Sequence, residues 1–158
     1  MGPALTFERL EENHLPFFLE VRNECRSFLH DDRAFTLEEC ERWFRTGRPE
    51  YWLILLEGEP IGYFRISNRD PAERSIYLGA DIHPRYRGRG LAKAAYEQFL
   101  PLLKRREDIG VVRLEVLSHN VTAQGLYARL GFVEIGRKIA FDRRNGQPVD
   151  SIVMERQL

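Results

Sequence analysis

The sequence predicts an α/β (α+β) fold, a mixed and mostly antiparallel sheet of about six to seven strands with about four helices on its faces. Three observations carry that expectation. Short apolar-alternating runs recur through the whole chain, longer segments with helical spacing fall between them, and the reading order is β-α-α-β-β-β-α-β-α-β-β. At 158 residues the length suits one domain spanning 1–158. Such a chain buries roughly 68–70% of its unfolded surface, enough for a core without staples.

Leu5 to Leu10 alternates enough for a first strand, and Leu15, Phe18, Leu19 and Val21 then fall at helical spacing within His14 to Arg22. Residues 23–35 are polar and mixed and read as a loop or broken helix. Thr36 followed by Glu39 is a capping-box pattern that starts a helix ending near Gly47. Tyr51 to Leu56 and Ile61 to Ser67 flank Glu57-Gly58-Glu59-Pro60 as a hairpin, and Ser75 to Ile82 is a strand ended by Pro84. After Gly90 comes the longest helix, Leu91 to about Lys104. Val111 to Leu117 is a strand, and Asn120 caps a short helix stopped by Gly131. Phe132 to Ile135, Lys138 to Arg143 and Ser151 to Glu155 are read as strand segments, the last two flanking the Asn145-Gly146 turn.

Composition excludes several classes. No stretch approaches the ~18 apolar residues of a membrane span, and no signal segment opens the chain. Cys25 and Cys40 have neither metal nor redox spacing, which fits free thiols in the cytoplasm. His14, His30 and His83 form no ligand pattern, so no metal is expected. The net charge is zero but uneven: residues 1–70 hold 9 Lys/Arg against 14 Asp/Glu, and residues 71–158 hold 15 against 10. That asymmetry suits a cationic acceptor and a phosphate-bearing cofactor, or equally two solvated faces.

The most informative segment is Arg85-Tyr86-Arg87-Gly88-Arg89-Gly90-Leu91-Ala92, between a strand and the longest helix. Glycines there let the backbone turn tightly and approach a ligand. The first helical N–H groups have no internal partner and carry the positive dipole end, so a pyrophosphate is stabilised at that point. The three arginines add charge-assisted bonds. A dinucleotide fingerprint fails for want of the third glycine, and a nucleotide P-loop fails for want of Gly-Lys-Ser/Thr. The arginines sit at a turn rather than along a stripe with interleaved aromatics, which disfavours nucleic acid.

Arg85-x-x-Gly88-x-Gly90-Leu91-Ala92 resembles the acetyl-CoA pyrophosphate motif of the GNAT acetyltransferases. The strand before it, Leu78 to Pro84, looks like that family's fourth strand. Val116 to Ala123 followed by Leu126-Tyr127-Ala128-Arg129-Leu130-Gly131-Phe132 is similar to its fifth strand, Asn-started helix and Leu-Gly-Phe ending. The likeness is good over 75–135 and in outline elsewhere.

The resemblance implies a GNAT fold with strands 4 and 5 splayed apart, pantetheine in the gap against the backbone of Ile82, and pyrophosphate on the N–H groups of Arg87 to Leu91. Arg85, Ala92 and Ala123 belong to the same cofactor site, Asn120 would contact the pantetheine arm, and Tyr127 would sit beside the thioester sulfur. It implies an N-acetyltransferase that moves acetyl from acetyl-CoA directly to a primary amine. Tyr127 would protonate the leaving thiolate, with no membrane or nucleic-acid partner; a homodimer is compatible with it.

The acceptor would be a small molecule, an amino sugar or a protein N-terminus, near Arg22, Asn23, Arg26, Phe28, His30, Arg33 and the closing hairpin with Asp150. For the base, strand alternation puts Tyr77, Gly79 and Asp81 on one face, making Asp81 a candidate, with His119 or a water chain as alternatives. A non-catalytic acyl-CoA-binding module and a transferase for another acyl group remain open readings.

Overall fold

The structure is a computed structural model and describes residues 2–158. Seven strands form one sheet: β1 (Leu5–Arg9), β2 (Glu50–Leu56), β3 (Glu59–Asp70), β4 (Ser75–Ile82), β5 (Val111–Leu117), β6 (Val133–Arg144) and β7 (Gln147–Gln157). Their spatial order is β1-β2-β3-β4-β5-β7-β6. Every neighbouring pair is antiparallel except β4–β5, which is parallel. Four helices accompany them: α1 (Leu15–Glu24), α2 (Leu37–Gly47), α3 (Leu91–Glu107) and α4 (Val121–Arg129).

Alternation on the strands sorts two apolar layers. On one face Ile54, Phe64, Ile66, Ile76 and Leu78 bury with Tyr96, Phe99 and Leu103 of α3. Phe64 and Phe99 stack with centroids 4.4 Å apart. On the other face Tyr51, Leu53 and Tyr63 bury with Leu15, Phe18 and Val21 of α1. The helix that the Thr36 pattern predicts is capped as expected: Thr36 Oγ1 accepts from the Glu39 N–H at 3.2 Å, and Glu39 Oε1 accepts from the Thr36 N–H at 3.0 Å.

The β4–β5 pair creates the site. Only Ser75, Ile76 and Tyr77 pair with Val111, Val112 and Arg113. Beyond them the strands part, so one edge of β4 from Leu78 to Ile82 has no strand beside it. This is the expected splay.

Several boundaries differ from the sequence reading: β3 and β7 are longer at both ends, and α3 and β6 differ most. α3 runs to Glu107 through Pro101 and is closed by Asp108 in the left-handed region, φ 54°. Sequence signals look for glycine at that position, and here an aspartate supplies the turn. The segments read separately as 132–135 and 138–143 are one strand, β6, with register shifts at Glu134/Gly136 and Lys138/Asp142. Bulges bend the strand without ending it.

Candidate active site

The turn before α3 is built by backbone conformation. Gly88 and Gly90 have φ of +75° and +70°, and nothing lies within 4 Å of where a Cβ on either would stand. Both positions therefore need glycine for conformation, and the space beside them is free. The Tyr86 and Arg87 N–H groups close a short 3-10 turn onto His83 and Pro84. Among the described residues the next six N–H groups, Gly88 to Lys93, find no acceptor in the protein. Six adjacent unanswered donors at the positive end of a 17-residue helix form an anion cradle.

A cavity of about 570 Å³ runs from this cradle along the splayed edge of β4 and between α3 and α4. Ile82, Arg87, Gly88, Gly90, Leu91, Ala92, Asn120, Ala123 and Tyr127 all line it. Arg85 and Arg89 do not. Their guanidinium carbons lie 5.4 and 5.7 Å from the Tyr86 ring centroid, outside the cavity.

Arg87 instead donates to Cys25 Sγ at 3.2 Å, and the Cys25 thiol donates onward to the Ile82 carbonyl at 3.5 Å. Burial pushes this thiol up to about 11, with Asp81's charge adding to the shift. Cys25 is thus a cavity residue, protonated at neutral pH, that sequence spacing gave no reason to place there.

A second cavity, about 470 Å³, lies on the α1 side of the splay. The two share Phe28, Ala80, Asp81, Asn120 and Tyr127, and otherwise have separate linings. At this junction the Tyr63 hydroxyl donates to Asp81 Oδ2 at 2.7 Å. Burial raises the Asp81 carboxyl above its ordinary range, against the opposing effects of the Tyr63 bond and of Arg65, Arg22 and Arg87. Such a carboxylate is a better proton acceptor than an exposed one.

Tyr127 is 9% exposed, with Tyr96 and Phe132 edge-on to its ring at 5.7 and 5.9 Å. Burial raises its phenol above the ordinary tyrosine range, against the lowering effect of the neighbouring Tyr96 hydroxyl and with Asp81's charge adding to the rise, so it stays protonated at neutral pH. Asn120 positions α4, accepting from the Ala123 N–H at 3.3 Å through Oδ1.

The loop over the second cavity is held from two sides. Asn23 clasps Phe35, donating to its carbonyl at 2.9 Å and accepting from its N–H at 3.1 Å. Arg22 donates to the Asp31 and Arg33 carbonyls. Arg144 reaches from β6 to the carbonyls of Ser27, Leu29 and His30 at 3.0, 2.9 and 3.3 Å.

His30 Nε2 lies 2.7 Å from Ser151 Oγ and 3.3 Å from Glu115. Burial lowers its pKa and leaves a neutral imidazole there, so the Ser151 contact is a hydrogen bond and the Glu115 contact is not an ion pair. Of the polar and aromatic residues expected near an acceptor, Arg22, Phe28 and His30 line the cavity, while Asn23, Arg26 and Arg33 do not. His119 stacks on Phe28 at 5.2 Å, its Nε2 3.0 Å from the Ser27 carbonyl, and lines neither cavity.

Sequence reasoning missed Tyr51, Tyr63, Arg65 and Glu115. The period-2 pattern of β3 held the signal, since Tyr63, Arg65 and Ser67 share the face opposite Phe64 and Ile66. Among the described residues no group of His, Cys, Asp and Glu stands together as metal ligands, and no helix is long and apolar enough to cross a membrane.

A splayed sheet edge and an anion cradle that opens the longest helix define a mixed α/β protein with a phosphate-type site at that helix start. The model of the Acetyltransferase (GNAT) family matches residues 8–132, and the chain belongs to that family. The spermidine N-acetyltransferase of Vibrio cholerae, solved with CoA and spermine, is 22% identical. It aligns over 97% of this chain and 95% of its own, with a TM-score of 0.89. The ribosomal-protein-alanine N-acetyltransferase of Brucella melitensis is 19% identical over 97% and 99%, TM-score 0.79. At these identities the likeness is one of fold. No curated protein matches the chain in sequence.

Proposed function

We propose that the chain, as one domain over residues 1–158, is a cytoplasmic acetyl-CoA-dependent N-acetyltransferase that passes acetyl directly to a primary amine. The observation that carries this reading is the junction of the two cavities, where Asp81 and Tyr127 both face the place where cofactor and acceptor would meet.

The residues present fit acetyl-CoA. The free N–H groups of Gly88 to Lys93 suit its pyrophosphate, and Arg87 adds a charge at the cavity wall. The open edge of β4 near Ile82 offers strand-like bonds to pantetheine, and Asn120 faces the same arm. Bound there, acetyl-CoA supplies the activated acyl group.

Asp81 takes a proton from the incoming ammonium and frees the nitrogen lone pair for attack on the acyl carbon. The carbon–nitrogen bond forms and the carbon–sulfur bond breaks. Tyr127 gives its phenolic proton to the departing sulfur, and the second proton lost by the nitrogen restores it. Holding both reactants in one opening supplies much of the remaining acceleration. Cys25 supports direct transfer: a protonated thiol bonded to the Ile82 carbonyl is a poor nucleophile.

The test is Tyr127→Phe, which removes a hydroxyl and keeps the ring. Thiol release from acetyl-CoA with amines, amino sugars and N-terminal peptides should fall about 10²–10⁴-fold in kcat. Acetyl-CoA affinity measured by calorimetry should stay within about twofold. Unchanged kcat removes Tyr127 from the chemistry, and absence of acetyl-CoA binding by the wild type overturns the whole reading.

A further inference from the structure

The acceptor-side cavity holds three carboxylates and two guanidinium groups, and their partners can be assigned one by one. Asp31 is gripped by Arg33 at 2.7 and 2.9 Å, and Arg22 lies 3.9 Å from it while donating to two backbone carbonyls. Glu115 has the neutral imidazole of His30 at 3.3 Å and, among the described residues, no cation in ion-pair contact, and Asp81 accepts from Tyr63. Among the described residues Arg65 has no carboxylate in ion-pair contact, and no carbonyl accepts from it. Its neighbours are the Tyr51 hydroxyl, the Asp81 carboxylate and the Tyr63 hydroxyl, and the residue is exposed at the cavity.

The fold holds that guanidinium in the cavity. Arg65 lies mid-strand on β3 with Gly79 of β4 as its register partner. It packs across that glycine, where an added Cβ would stand 3.1 Å from one of its nitrogens. The missing side chain at position 79 makes the floor on which the arginine rests. On the same pair of strands, two residues nearer the junction, Tyr63 pairs with Asp81. Two residues of strand separate the positions by roughly 7 Å. A short molecule can therefore place its amine against Asp81 and Tyr127 while another of its groups meets Arg65. A guanidinium fork matches a carboxylate or a phosphate through two parallel bonds, whereas a second ammonium there would be repelled.

We infer that Arg65 is a specificity residue and that the acceptor is an amine carrying its own anionic group, a carboxylate or a phosphate, a short distance from the reacting nitrogen. This rests on the acetyl-transfer reading above. The chemistry predicts amino acids or amino-sugar phosphates as better substrates than plain polyamines.

The experiment uses matched acceptors, amino acids against their amides and a hexosamine phosphate against the free hexosamine, with wild type, Arg65→Gln and Arg65→Lys. In the wild type the anionic member of at least one pair should lead by tenfold or more in kcat/KM. Which pair shows it separates carboxylate from phosphate. In Arg65→Gln the lead should shrink to threefold or less, mainly through KM, and Arg65→Lys should restore part of it.

Equal turnover of charged and neutral members overturns the inference. So does an equal loss on both in Arg65→Gln, or a polyamine as the best acceptor. Calorimetry with acetyl-CoA keeps the two readings distinct: if acetyl-CoA fails to bind, the transferase reading itself falls. If it binds and the anion confers no preference, only the role of Arg65 falls. Should no acceptor turn over, calorimetric titration of the same pairs into the acetyl-CoA-loaded protein decides, and equal binding within each pair overturns the inference.

Discussion

Replacing Asp81 with Asn sets activity against stability in one variant. The amide is close to isosteric, and its oxygen still accepts the Tyr63 hydroxyl that now lies 2.7 Å from Oδ2. What is lost is the capacity to take a proton. A positioned base contributes about 10²–10⁴ in rate, or about 2.7–5.4 kcal/mol of barrier at 1.36 kcal/mol per tenfold.

Stability should move the other way. Burial raises the Asp81 carboxyl in the folded chain, so between its unfolded and folded values the native state binds more protons than the unfolded one. By linkage, stability then falls as pH rises through that window and stays lower above it. At neutral pH the neutral amide removes this destabilisation, and Asp81→Asn should melt at or above the wild-type temperature. The assay pairs thiol release over a pH series with thermal melting at neutral pH. In the wild type kcat/KM should decline as pH falls and Asp81 protonates; in the variant that limb should vanish. A variant that keeps activity within threefold, or keeps the acidic limb, would refute Asp81 as the base.

Two further substitutions probe the cofactor side. Gly90→Ala forces a Cβ onto a φ of +70°, costing roughly 1–2 kcal/mol, and puts a methyl in the free space beside the cradle. The acetyl-CoA dissociation constant should rise at least tenfold by calorimetry, with acceptor KM little changed. Tyr96 is 1% exposed, and its hydroxyl makes no well-formed hydrogen bond, its one polar neighbour being the Tyr127 phenol. Tyr96→Phe should therefore leave the melting temperature unchanged or raise it, by up to about 1 kcal/mol in stability, and a marked fall would show a partner for that hydroxyl.

The cradle and the cavity beside it were legible, apart from Arg85 and Arg89, because they are written locally. The glycines that need positive φ, the helix they open and the Asn120 cap lie in short continuous runs, and dipole and turn chemistry act over one or two turns. The strands Ser75–Ile82 and Val111–Leu117 match their sequence-read bounds for the same reason. The acceptor half joins residues far apart in the chain. Arg144 secures a loop more than a hundred positions earlier, and His30 meets Ser151 and Glu115 through sheet order alone. Nothing near Cys25 in sequence signals that its thiol would bridge Arg87 and Ile82. The bulges of β6 were also hidden, because a register shift depends on the partner strand.

The shared wall of five residues between the cavities has a kinetic consequence. With acetyl-CoA in one cavity and the amine in the other, as proposed above, the separate linings mean that neither reactant has to pass through the other's compartment to arrive or depart. Such a layout favours random order of binding over an obligatory sequence.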